Sequence, residues 1–134
     1  MKNPLESVLL SSTEVGMLLY WVFASFVVLK IVKVPPDIMY SNYENPTIVS
    51  WNWSFLPIDI LFAITGLAGR FLVHDSHKKE ILSTVSLTLM FCAGTMAISF
   101  WVIEQYYDLF WWGINLWLIL LSVFVLGRRI FYDH

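Results

Sequence analysis

Four apolar runs, each about as long as a bilayer-crossing helix, dominate the 134-residue sequence. A spanning helix needs about 20 mostly apolar residues. The runs cover roughly residues 15–34, 55–73, 81–103 and 109–126, and are closed by Pro35-Pro36, HDSHKKE, EQYYD and GRR. They are apolar almost continuously rather than in alternation, which argues against the strands of a transmembrane barrel. Only 13% of the residues are charged and 58% are hydrophobic, whereas a soluble domain carries about 25% charged residues. A chain this short cannot bury that much apolar surface within itself. The expectation is a single domain over residues 1–134, an all-α membrane protein folded as an antiparallel four-helix transmembrane bundle, with the lipid bilayer as its first partner.

The formal net charge of −2 and the lack of any basic run interleaved with aromatics point away from nucleic acid. The single cysteine, Cys92, excludes an intramolecular disulfide and a cysteine-based zinc cluster. The opening MKNPLESVLLSSTE has too short an apolar part for a cleavable signal, so it is expected to be retained. With four spans, Lys2, Arg70, Lys78, Lys79, Arg128 and Arg129 gather on one side, and Lys30 and Lys33 on the other. The positive-inside rule then puts both termini in the cytoplasm. The opposite side is rich in aromatics, among them Trp51, Trp53, Tyr106 and Tyr107. They suit an interfacial belt or the rim of a binding site. The proline-rich loop from Pro35 to Asn52 is expected along that outer surface.

Lipid does not drive helices together, so small and polar residues should mark the faces that meet. Such lines are Gly16, Tyr20 and Ala24 in the first span, and Asp59, Ala63, Gly66 and Arg70 in the second. The third has Thr84, Thr88, Cys92, Thr95 and Ser99, and the fourth Asn115 and Ser122. The alternative for a hydroxyl line is that each hydroxyl bonds a carbonyl one turn back on its own helix and marks no contact.

Asp59 stands out. A charge near the bilayer centre costs roughly 2.5–3.5 kcal/mol on insertion scales. If Pro57 opens the helix, Asp59 lies in its first turn, where a carboxylate meets the positive end of the helix dipole. On this reading it only begins a helix at the headgroups. On the other, Lys30, Asp59, Ser99 and Asn115 share one level of the outer half, beneath walls formed by Trp101, Trp111 and Trp112, and make a ligand-binding pocket. Lys30 then either pairs with Asp59, favouring a neutral lipid-like ligand, or snorkels to the headgroups and leaves the acid for an amine. Catalytic patterns are weak. His74 and His77 lack a third metal ligand, and no paired deep carboxylates or serine–histidine arrangement appears. No catalytic residue, metal or cofactor is expected.

WNWSFLPIDILFAITGL and AISFWVIEQYYDLFWWGINLWLI resemble the YvaD-like family of small bacterial four-span membrane proteins, whose function is uncharacterised. The resemblance covers about residues 45–125 and implies the plasma membrane of a Gram-positive bacterium, with no activity to carry over. FWWGINLWL, with Asp59 and Glu104, is loosely similar to the emopamil-binding and sterol-isomerase group, whose membrane cavities hold hydrophobic amines or sterols. The acids match no motif position, and isomerase chemistry is not transferred. Small multidrug exporters share the size and span count, but Glu14 is expected at the cytoplasmic end rather than deep in the membrane. Three expectations follow: a non-enzymatic membrane protein binding an amphipathic or lipid-like molecule, a small transporter or exporter subunit, or a regulatory partner of another membrane protein. The exporter would need a water route along Thr84, Thr88 and Cys92.

Overall fold

The computed structural model describes residues 3–29 and 45–132. Lys30, Lys33 and the loop through residue 44 lie outside them. Among the described residues the protein is all-helical: α1 (Pro4–Val28), α2 (Pro46–Trp53), α3 (Leu56–Leu67), α4 (Ser76–Ile103) and α5 (Leu109–Tyr132). A π-helical turn, Ala68–Leu72, extends α3. With α2, α3 and the π turn taken as one segment, four helices are long and apolar enough to cross a membrane.

Local chemistry sets the ends. Asn3 caps α1, its side chain accepting from the Leu5 N–H at 3.0 Å, with Pro4 just inside and Glu6 in the first turn. These start signals outrank the apolar pattern, so the helix begins at Pro4 rather than near Val15. Asp75 caps α4 in the same way, accepting from the Lys78 N–H at 2.9 Å. Pro57 has no N–H to give the carbonyl of Trp53, and the helix breaks between α2 and α3 at Ser54 and Phe55. The turn after α4 closes with Gln105 at φ 55°. The N–H groups of Tyr106 and Gln105 return to the carbonyls of Trp101 and Val102 at 3.1 and 3.2 Å, a Schellman closure. Asp108 then starts α5, accepting from the N–H groups of Phe110 and Trp111.

Helix α1 packs on α3, α3 on α4, and α4 on α5. Phe62, Ala63, Leu87, Met90, Ala93, Leu118 and Val125 form the main core. Glycines allow two close approaches. A Cβ on Gly94 would lie 2.8 Å from the backbone oxygen of Asn115, and one on Gly66 would lie 1.9 Å from Oε1 of Glu14. The line expected on the second span is interior: Asp59, Ala63 and Gly66 are buried.

The stripe expected to pack on the third span does so only in part. Thr84, Thr88 and Ser99 are exposed and Cys92 and Thr95 half-buried, and the buried face of α4 is Ser86, Leu87, Met90, Ala93, Gly94, Ala97 and Trp101. Thr88 explains why the outward placement is tolerated: its hydroxyl donates to the carbonyl of Thr84 at 2.8 Å and needs no partner elsewhere. Ser86, which is buried, instead donates across to the carbonyl of Phe62 at 2.6 Å.

Glu14 is buried within the bundle. Because α1 starts early, Glu14 lies well inside the helix and is 1% exposed. Arg70, in the π turn, grips it with Nη1 to Oε2 at 2.6 Å and Nη2 to Oε1 at 3.2 Å, and Nη1 also donates to Ser11 at 3.0 Å. At one end of the molecule, Glu6 pairs with Arg128 at 2.5 Å and with Arg129 at 3.4 Å, joining the start of α1 to the end of α5.

Candidate ligand cavity

Asp59 does not cap its helix. Phe55 precedes α3 without any side-chain cap bond, and the Asp59 N–H continues the helical pattern to the carbonyl of Phe55. With Leu56 as the first helical residue, Asp59 lies in the first turn of α3. Its side chain turns inward, is 6% exposed, and accepts a hydrogen bond from Trp21 Nε1 at 2.9 Å. Trp21 is itself held between Tyr20 and Trp53, at ring-centroid distances of 5.1 and 5.2 Å.

Asp59 forms part of the wall of a cavity of about 1000 Å³, at the upper end of the usual range for small-molecule sites. Helices α1 and α5 supply the two long walls, α2 and the start of α3 one end, and Ala97 and Trp101 of α4 the floor. The lining is mostly apolar and aromatic, with few polar groups: Asp59, Asn52, Asn115, Thr13, Ser12 and Tyr20. Asn115 uses its amide N–H on the carbonyl of Trp111 at 2.9 Å and leaves its carbonyl oxygen for other partners. The Asn52 amide nitrogen is buried without a hydrogen-bond partner among the described residues.

The structure brings together Asp59, Asn115, Trp101 and Trp111 of the expected pocket. Ser99 is excluded: it is two residues from the floor residue Ala97, about 200° around the helix, and is exposed. Trp112 is also outside the lining; its indole donates to the carbonyl of Tyr106 at 3.1 Å and pins the α4–α5 turn. Lys30 lies outside the described residues, so its pairing with Asp59 belongs to no observed contact. Sequence reasoning missed Thr13, Tyr20, Trp21, Trp51, Asn52 and Trp117 as wall residues. A signal was present for α1, since Thr13, Gly16, Met17, Tyr20 and Trp21 recur at helical spacing on one face.

The Glu14–Arg70 pair is a different kind of feature. Both groups satisfy each other, and the carboxylate fills the space left by Gly66. It ties α1 to α3 and is not part of the cavity lining.

A family model described as "Family of unknown function (DUF5360)" matches residues 6–133. An "Uncharacterized protein YvaD" from Bacillus subtilis (strain 168) is 33% identical over 124 residues, covering 87% of this chain and 90% of that one. No solved structure matches.

Proposed function

The chain belongs to the DUF5360 family of unknown function, and we propose that it is a multi-pass membrane protein that holds a small amphipathic or lipid-like molecule in the cavity between α1 and α5. In this reading the four long helices form an antiparallel bundle in a bacterial plasma membrane. The contacts α1–α3–α4–α5 and the Glu6–Arg128 pair support that arrangement, and the positive-inside rule supports cytoplasmic termini. The protein acts by binding rather than by catalysis, without a cofactor or metal.

One observation carries the proposal: a buried carboxylate in the wall of a large, mostly aromatic cavity. A polar head would lie near Asp59, Asn52 and Asn115, and an apolar tail along the tryptophan walls. The exporter reading has less support. Thr84 and Thr88 face outward, Glu14 is held by Arg70, and Phe62, Leu87 and Met90 are buried together in the core. The regulatory-partner reading keeps the exposed stripe of α4 as its surface but has no observation of its own.

Native mass spectrometry of the protein extracted in mild detergent tests the proposal. The wild type should retain one small amphiphile per chain, and Asp59→Asn should lose most of it while remaining folded. A bare chain mass for the wild type under mild activation counts against a resident ligand, and retention unchanged in Asp59→Asn removes the role of its charge.

A further inference from the structure

We propose that the cavity is filled sideways, from the plane of the bilayer, by an amphiphile with a cationic head that passes between α1 and α5 to reach Asp59. This rests on the ligand-binding reading above and adds the ligand's class and its route.

The route follows from how the walls are joined. Consecutive long helices pack closely, with Gly94 against the backbone oxygen of Asn115 and Gly66 against the side chains of Glu14 and Ser86. Helices α1 and α5 have no comparable backbone packing and are bridged by side chains. In the region of the cavity these are the Trp117 Nε1 to Thr13 Oγ1 hydrogen bond, at 3.0 Å, and the edge-to-face contact of Tyr20 with Trp111, centroids 5.4 Å apart. Between the two bridges lie Gly16 on α1 and Gly113 on α5. Both line the cavity, both are exposed, and a Cβ on either would meet nothing within 4 Å. The result is a window with a glycine on each side, framed above and below by contacts that can break and re-form.

The class of occupant follows from charge. Among the described residues no cation pairs with Asp59: Arg70 is engaged by Glu14, and Arg128 and Arg129 by Glu6. A buried carboxylate without a counter-charge is costly in an apolar medium. An ammonium head would offset that cost, and the face of a neighbouring indole adds cation–π attraction.

Stopped-flow tryptophan fluorescence on the full chain in lipid nanodiscs, with dodecylamine and dodecanol as probes, separates the parts. The wild type should bind dodecylamine at least about ten-fold more tightly than dodecanol, and Asp59→Asn should narrow the preference to about two-fold. Filling the window with Gly16→Leu and Gly113→Leu together should slow dodecylamine association by about ten-fold or more while the thermal midpoint is kept. Trp117→Phe, which removes the bond to Thr13, should speed association and serves if the leucine pair fails to fold. Equal affinity of the wild type for both probes overturns the cationic head. Association rates unmoved by either window change overturn the sideways route. Failure of both probes to bind defeats the underlying ligand reading instead.

Discussion

The indole N–H of Trp21 donates to Asp59 Oδ2 across 2.9 Å, joining α1 to α3 inside the cavity wall. The bond satisfies one carboxylate oxygen and turns the acid away from its own helix start. Trp21→Phe keeps the ring and removes the donor, which leaves a buried acceptor short of a partner. It should cost about 1–3 kcal/mol, whereas Trp21→Phe with Asp59→Leu should recover most of that. Thermal unfolding of the two variants in the same detergent checks this, and strict additivity would contradict a direct bond.

Glu14 and Arg70 should behave as a pair. Removing either partner alone, as Glu14→Gln or Arg70→Met, leaves an uncompensated buried group and should destabilise by about 3–5 kcal/mol. The double change Glu14→Leu with Arg70→Met should be much milder, because buried ion pairs are often replaceable by apolar residues of similar volume. Equal losses for the single and double variants would show that the pair is not a unit.

The glycines separate crowded positions from open ones. Gly66→Ala would place a methyl 1.9 Å from Glu14 Oε1, and Gly94→Ala one at 2.8 Å from the Asn115 backbone oxygen. Each should cost about 1–3 kcal/mol through overpacking. Gly127→Ala meets nothing within 4 Å and should stabilise by about 0.5–1 kcal/mol through helix propensity. The order of the three midpoints in thermal unfolding is the readout.

Gln105 holds a left-handed backbone at φ 55°, a conformation that favours glycine at this point of a helix end. Gln105→Gly should therefore raise stability by roughly 0.5–1 kcal/mol, with no change in the Asp108 cap that follows. Denaturant or thermal midpoints report the sign directly.

How far these relationships could be read from the chain depends on what each one rests on. Length and apolarity mark the four long helices, because both act locally. The direction of Asp59 was open, since a first-turn acid can face outward or inward, and the partner that decides it, Trp21, lies 38 residues away. The hydroxyl stripe of α4 misled for a related reason. Hydroxyls that bond their own helix tolerate either face, whereas Ala93, Gly94 and Ala97 can mark a close approach only if the helix is read by those positions instead. The Glu14–Arg70 pair was hidden because its two members lie 56 residues apart and meet only when α1 packs on α3.

The central claim is that the space between α1 and α5 is a binding site whose polar end is Asp59. An experimental structure of the protein in lipid nanodiscs, at a resolution that shows side chains, tests it most directly. The account predicts elongated density along Trp101, Trp111 and Trp117, ending within hydrogen-bond distance of the Asp59 carboxylate. A collapsed space, with α1 packed directly on α5 and no density beside Asp59, would contradict it.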